Sequence, residues 1–190
     1  MIYLPDSSEV MLNSDSYLTF KRFNWKSNRI VNLTGEAFFK VKKGNNFKVV
    51  TSSGEVKVLG TTFNVFSREK SFKVYCETGK IKVTCDKEII LTPGLAVTSK
   101  NDQLGDPVFA GNNLTAAWKK GQFFFDNDPI DVVFDEIERQ FNVEIIYNAP
   151  VERYYTGYFT GHDLKEALTL VCSPMQLNYR TLNNKIIIEY

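Results

Sequence analysis

The sequence predicts two domains: a mainly β domain, built as a sandwich or as a stacked-sheet, β-solenoid-like fold, and a small α+β domain with a βαβ-βαβ repeat. Residues 1–107 carry short alternating apolar and polar runs, separated by turn residues and without helical periodicity. Between residues 103 and 117 this pattern lapses into Gly, Asn, Asp and Pro, and we place a linker at 108–117. Apolar residues at helical spacing occur only in residues 118–190.

The strands of the β domain are predicted from its alternating runs. Turn residues such as Ser52-Ser53-Gly54 and Pro93-Gly94 separate them. The predicted strands are residues 9–12, 29–33, 36–41, 47–51, 55–59, 63–66, 72–77, 80–85, 88–91 and 95–98. Their regular spacing is typical of all-β sandwiches, barrels and stacked sheets.

The three cysteines predict neither a disulfide framework nor a zinc site. They are Cys76, Cys85 and Cys172, an odd number without metal-ligand spacing. We expect residues 72–77 and 80–85 to form a hairpin around Thr78-Gly79, which would place Cys76 and Cys85 about 13 Å apart along the ladder. A disulfide needs Cα atoms within about 7 Å, so we interpret the cysteines as small buried apolar residues.

The second domain contains an internal repeat at a spacing of 34 residues. The shift superposes Phe125 on Phe159, Ile130 on Leu164, Val133 on Ala167, Phe134 on Leu168, Ile137 on Val171, Phe141 on Met175, Val143 on Leu177 and Ile145 on Tyr179. Each repeat is predicted as strand, helix, strand, and a last strand follows at 185–189. We expect Asp128-Pro129 to begin the first helix and Asp163 with Glu166 to form a capping box on the second.

Composition and motifs argue against several function classes. The chain has 23 Lys and Arg against 22 Asp and Glu, so it lacks the basic excess typical of nucleic-acid binding. No phosphate-binding glycine motif or metal-ligand cluster is found in the sequence, so we expect no cofactor and no metal. The single histidine, His162, precedes a predicted helix cap and suggests no catalytic triad. No apolar run is long enough to cross a membrane.

Six segments, in order, resemble the motifs of the FecR domain. They are LPDSSEVMLN at 4–13, LTGEAFFKV at 33–41, FKV at 47–49, VLGTTFNV at 58–65, ETGKI at 77–81 and LTPG at 91–94. The first departs from the family at Ser7, where glycine is usual. Residues 118–190 resemble the small domain that follows FecR domains, and are similar in design to the short N-terminal signalling domain of secretins and TonB-dependent receptors.

The resemblance implies the periplasmic sensor part of an anti-sigma factor, a transmembrane signal transducer rather than an enzyme. It implies an upstream helix that anchors the protein in the inner membrane, and a cytoplasmic segment that binds an extracytoplasmic-function sigma factor. The signal would come from the signalling domain of a TonB-dependent outer-membrane transporter. From the residues alone, a carbohydrate-binding or cell-surface adhesion module is the alternative, because all-β domains with exposed aromatic residues often hold sugars.

Two groups of residues are candidate sites. Some FecR-type transducers break their own chain at a Gly-Thr bond, which the resemblance places at Gly60 and Thr61; the alternative is an ordinary turn that ends in Thr61. A strained turn would favour attack of the threonine hydroxyl on the glycine carbonyl. For partner binding we expect exposed tyrosines or an edge strand. The candidates are Tyr154, Tyr155 and Tyr158, and the strand carrying Lys185, Ile187 and Glu189. The alternative for Tyr155 and Tyr158 is that they are ordinary strand residues facing the two sides of the sheet.

Overall fold

A computed structural model describes residues 1–69, 71–100, 102–148 and 151–189. The chain divides into two compact units, Met1–Ala116 and Ala117–Tyr190. The predicted linker, 108–117, ends beside this division. Its first residues, Val108–Phe109, form a short strand, and Asn112–Leu114 form a 3-10 helix. The exact extent of the linker therefore stays a prediction.

The first unit is mostly β, which confirms the predicted fold class. Its strands are β1 (Ile2–Tyr3), β2 (Glu9–Leu12), β3 (Tyr17–Phe20), β4 (Arg29–Lys40), β5 (Phe47–Val50), β6 (Glu55–Val58), β7 (Thr62–Arg68), β8 (Ser71–Thr78), β9 (Ile81–Thr84), β10 (Glu88–Leu91), β11 (Leu95–Lys100), β12 (Gln103–Leu104) and β13 (Val108–Phe109). They form one large curled sheet whose main path runs β10-β9-β6-β5-β4-β7-β8-β11-β12.

Strand β4 joins the two halves of this curled sheet. Its first half pairs with β3 and β5, and its second half pairs with β2 and β7. The change of partners falls at Gly35, whose φ of 94° is in the left-handed region that favours glycine. A Cβ there would lie 2.5 Å from Ser16 Oγ. The two strands predicted at 29–33 and 36–41 are therefore one strand with a change of direction at Gly35.

The predicted hairpin of residues 72–77 and 80–85 is wrong. β8 pairs with β7 and β11, whereas β9 pairs with β6 and β10. At Gly79 the chain instead crosses from one half of the curled sheet to the other. Every second side chain of β8 and of β9 enters the same core, but from opposite halves of the curled sheet. The alternation of apolar and polar residues is therefore the same as it would be if the two strands paired as a hairpin. The cysteines are free thiols, but the hairpin register predicted for them does not exist.

Aromatic rings form the centre of the first core. Phe39 stacks on Phe63 with 5.0 Å between ring centroids, and it meets Phe47 edge to face at 6.1 Å. Trp25 packs on Phe47 from a loop, with 6.2 Å between centroids. Each fully buried phenylalanine contributes about 1.5–3 kcal/mol through removal of its surface from water. The core thus holds together both halves of the sheet and the loop before β4.

The second unit has the predicted repeat of two strand-helix-strand segments. Its elements are β14 (Gln122–Pro129), α1 (Ile130–Phe141), β15 (Glu144–Tyr147), β16 (Tyr154–Thr160), α2 (Leu164–Cys172), β17 (Asn178–Leu182) and β18 (Lys185–Glu189). β14 and β16 form an antiparallel two-stranded sheet, and β15, β18 and β17 form a three-stranded sheet in that order. Both helices turn their apolar faces into one core with these sheets.

The two helices begin differently. The predicted N-cap of α2 is confirmed, because Asp163 accepts a hydrogen bond from the Glu166 backbone N–H at 2.7 Å. The Glu166 carboxylate accepts from the Thr160 hydroxyl, so the reciprocal bond of a capping box stays a prediction. The prediction for α1 is wrong, because Pro129 is itself the capping residue and has extended backbone angles. The Asp128 carboxylate accepts from the Asp126 N–H instead, at 3.0 Å. The strand β14 continues to Pro129, so Asp128 is held in strand geometry.

Candidate functional site

Two of the three candidate tyrosines lie on the outer face of the two-stranded sheet. Tyr154 and Tyr158 are each 48% exposed on β16. Phe124 on β14 pairs with Tyr158 across the ladder, and their ring centroids are 5.8 Å apart. We name Phe124, Tyr154 and Tyr158 the tyrosine face. Phe124 was missed in the sequence, where only the strand register would have placed it beside Tyr158.

Tyr155 points to the opposite side of the same strand and is only 4% exposed. Its hydroxyl donates to the backbone carbonyl of Leu170, at 3.2 Å, and lies 3.3 Å from that of Tyr158. Burial raises the pKa of Tyr155, so the phenol stays protonated as a donor. Tyr155 is therefore a core residue, and a partner contact remains a prediction only for Tyr154 and Tyr158.

The prediction of an edge strand at residues 185–189 is wrong. β18 lies between β15 and β17 and pairs with both, so its backbone has no free edge. The side chains of Lys185 and Glu189 are exposed, but each forms an ion pair: Lys185 with Glu144 and Glu189 with Arg180, both at 2.9 Å. Ile187 is half-buried. Partner binding through these three side chains stays a prediction, but the free strand edge from which it was predicted does not exist.

The Gly60–Thr61 bond lies between β6 and β7. Gly60 is outside the left-handed φ region, so the strained turn expected there is not found in its φ. Glycine is needed for space, because a Cβ would lie 2.6 Å from the backbone Cα of Lys43. Thr61 is buried, and its hydroxyl has no hydrogen-bond partner among the described residues. Its carbonyl accepts from the Val41 N–H at 2.9 Å.

A pocket of about 420 Å³ adjoins this bond. Gly60 and Thr61 line it together with three lysines, Lys57, Lys80 and Lys82. Two of these lysines form ion pairs, Lys57 with Glu55 and Lys82 with Glu88. The peptide bond therefore lies beside a pocket, although the Thr61 hydroxyl itself is buried.

The described part of the chain holds neither a metal-ligand cluster nor a membrane-spanning helix. No cluster of His, Cys, Asp or Glu there has an arrangement able to hold a metal ion. His162 is exposed and lies near Gly121, where an added Cβ would come within 3.1 Å of the imidazole. Within the described residues, no helix combines the length and apolar character that a membrane span requires.

Known structures are similar to nearly the full length of the chain. Two crystal structures of a proposed anti-sigma factor from Parabacteroides distasonis ATCC 8503 are similar to it, each with a TM-score of 0.85 and 28% identity. The similarity covers 98% and 99% of this chain, and 92% of the other chain in both cases. No curated protein matches the sequence.

Two family models match the sequence in the order of the two units. The model described as FecR protein matches residues 1–82, and the model described as FecR, C-terminal matches residues 122–188. Together they account for more than half of the chain, and the chain therefore belongs to the FecR family.

Proposed function

We propose that the chain is the periplasmic sensor part of an anti-sigma factor, a binding and regulatory module rather than a metabolic enzyme. It relays a signal from a TonB-dependent outer-membrane transporter to an extracytoplasmic-function sigma factor. An upstream helix anchors the full-length protein in the inner membrane, and a cytoplasmic segment holds the sigma factor. One observation carries the proposal: both units match FecR family models in order, and the similar crystal structures are of a proposed anti-sigma factor.

The tyrosine face is the proposed contact for the transporter's signalling domain. The exposed rings of Tyr154 and Tyr158, with the half-buried ring of Phe124 beside them, offer large contact areas with few rotatable bonds, and tyrosine is enriched in interface cores. Within the described residues, β14 and β16 pair only with each other, so the outer edge of each strand offers backbone N–H and C=O groups. A partner strand could add to such an edge while its side chains contact Tyr154 and Tyr158.

A binding titration tests this function. The full chain is titrated with the N-terminal signalling domain of the transporter encoded beside it, and compared with a Tyr154→Ala/Tyr158→Ala variant. Tyr17→Ala is the matched control, because Tyr17 is 66% exposed on the other unit. We expect saturable binding that the double variant weakens at least about tenfold and the control leaves unchanged. Absence of binding up to about 1 mM would refute the proposed relay.

A second proposed activity is cleavage of the chain at Gly60–Thr61. The unpartnered Thr61 hydroxyl favours it, because no competing hydrogen bond holds that oxygen. The oxygen would form an ester bond with the Gly60 carbonyl carbon while the Gly60–Thr61 C–N bond breaks. The hydroxyl proton passes to the freed nitrogen, and water then hydrolyses the ester. The products are residues 1–60 with a new carboxylate and residues 61–190 with a new amine.

Intact mass during long incubation tests this cleavage. The wild type should divide into these two fragments, and Thr61→Ser should divide as well because it keeps a hydroxyl. Thr61→Val keeps the size of the side chain and should stay whole. A wild-type chain that stays whole for as long as the valine variant would contradict self-cleavage.

A further inference from the structure

A strongly basic pocket lies on the first unit; it is lined by other residues than the pocket at Gly60–Thr61, although its Lys43 lies against Gly60. It has a volume of about 760 Å³, within the range of ligand-binding pockets. Five cationic side chains line it, Arg22, Lys26, Arg29, Lys42 and Lys43, and Asp6 is the only carboxylate among its lining residues. We name this the basic pocket.

The one carboxylate is already neutralised by one of the five cations. Asp6 forms an ion pair with Arg29 and also accepts hydrogen bonds from the backbone N–H and hydroxyl of Ser8, at 3.0 and 2.9 Å. The other four cations, Arg22, Lys26, Lys42 and Lys43, are exposed and have no ion-pair partner in the described part of the chain. The pocket therefore carries four uncompensated positive charges.

Two buried hydrogen-bond donors in the pocket lining are also unused. Trp25 is 4% and Arg29 is 5% exposed, and neither the indole Nε1 of Trp25 nor the Nε of Arg29 has an acceptor among the described residues. A buried donor without an acceptor costs about 1–3 kcal/mol. The terminal nitrogens of Arg29 are occupied, since Nη1 donates to Asn45 O at 2.7 Å and Nη2 to Lys42 O at 2.8 Å.

We propose that the basic pocket binds an acidic peptide segment of a partner protein. The fork of Arg29 is occupied, so it cannot grip a phosphate with two parallel hydrogen bonds. The four free cations suit Asp and Glu side chains. The two unused N–H groups are buried beneath the pocket surface, so a peptide carbonyl would reach them only after a local rearrangement. This site goes beyond the proposed function, which places its contact on the other unit.

A titration of the full chain with the blocked peptide acetyl-(Glu)6-amide tests the site. Trp118→Phe leaves Trp25 as the only indole, because the chain has two tryptophans. We expect Trp25 fluorescence to change saturably, with a Kd between about 10 µM and 1 mM that weakens as salt is added. Hexaglutamine has peptide groups without negative charge, and inorganic phosphate has negative charge without peptide groups. Each should therefore bind at least about tenfold more weakly than the acidic peptide.

Charge-reversal variants locate the binding. Lys42→Glu/Lys43→Glu and, from a separate segment of the lining, Arg22→Glu/Lys26→Glu should each weaken peptide binding at least about tenfold. Lys87→Glu/Lys100→Glu makes the same change in net charge with exposed lysines outside the pocket, and should weaken it less than about threefold. Two independent pocket variants keep the test valid if one of them does not fold.

Three results would overturn the site. Equal weakening by the control pair would show unspecific attraction of the peptide to the positive charges of the first unit. Phosphate binding as tight as the peptide would show a small-anion site. Tighter binding to phosphatidylglycerol vesicles than to the peptide, lost in the Lys42 and Lys43 variant, would assign the pocket to a membrane surface. A chain that binds this peptide but not the transporter's signalling domain would retain the site and lose the proposed function, so the two failures are distinguishable.

Discussion

Asn64 on β7 donates a hydrogen bond to the buried carboxylate of Glu36 on β4, with 2.7 Å between Asn64 Nδ2 and Glu36 Oε1. The other carboxylate oxygen accepts from Asn13 Nδ2 at 2.8 Å. One carboxylate thus receives a donor from β7 and another from the residue that follows β2. A buried carboxylate is tolerated where such donors replace water, and this one joins three neighbouring segments of the curled sheet.

Glu36→Gln should destabilise the first unit by about 1–3 kcal/mol. The new amide group places an N–H donor against one of the two asparagine donors, and one buried donor loses its acceptor. Urea unfolding followed by Trp25 fluorescence, in a Trp118→Phe background, measures the loss. Glu9→Gln is the control: its ion pair with Lys40 is 3.6 Å long and partly exposed, so we expect less than about 0.5 kcal/mol. Equal losses in both variants would contradict the role of Glu36.

Thr61→Val should stabilise the first unit by about 1 kcal/mol. The change removes a buried hydroxyl that has no partner among the described residues and keeps the shape of the side chain. Thr78→Val should have the opposite effect, because the Thr78 hydroxyl accepts from the Thr62 N–H at 3.0 Å. Denaturant unfolding of the two variants gives the two signs. A loss of stability in Thr61→Val would mean that this hydroxyl has a hydrogen-bond partner in solution.

The pair of Asp6 and Arg29 should make the first unit less stable in acid. Burial alone would raise the pKa of Asp6, but hydrogen bonds from Ser8 and Arg29 hold it below the ordinary value of about 3.9. The unfolded chain therefore binds a proton at this carboxylate at a higher pH than the folded chain does. The stabilisation is fully present above about pH 4 and is lost as the pH falls through the lowered pKa.

Asp6→Asn tests this pH dependence, since asparagine does not titrate. The free energy of unfolding, measured from pH 7 to pH 2.5, should decline less below about pH 4 in the variant than in the wild type. An identical decline in both proteins would show that Asp6 contributes nothing to the acid sensitivity.

Only one of the three thiols should react quickly in the folded protein. Burial raises the pKa of both Cys76 and Cys172 to about 11, so at pH 8 neither forms an appreciable amount of the nucleophilic thiolate. Cys85 is only half-buried. Titration of the folded wild type with a chromogenic disulfide at pH 8 should therefore show one fast thiol. That fast thiol should be absent in Cys85→Ser. In denaturant the wild type should show three. Three fast thiols in the folded protein would contradict this arrangement.

Sequence periodicity predicted the types of element but not their partners. Alternation identified most strands of the first unit, and the repeat identified both helices of the second, because these patterns depend on residues close in the chain. The pairing of β8 with β7, and the central place of β18, depend on distant residues that share a core. The candidate sites differ in the same way. Gly60–Thr61 was predicted from the family resemblance and stays a proposal, whereas Phe124 and the basic pocket arise only where separate segments meet.

Tyr155 and Tyr158 should separate stability from partner binding. Tyr155→Phe removes the hydroxyl that donates to Leu170 O on α2, so the second unit should lose about 1 kcal/mol of unfolding free energy. Tyr158→Phe should leave its stability within about 0.5 kcal/mol, since Tyr158 is exposed. Trp118 fluorescence in a Trp25→Phe background follows the unfolding of this unit.

In the signalling-domain titration the larger effect should come from the other tyrosine. Tyr155→Phe should bind as the wild type does, whereas Tyr158→Ala should bind more weakly. If Tyr155→Phe weakened binding without any loss of stability, the buried tyrosine would have to reach the partner, which contradicts its place in the core.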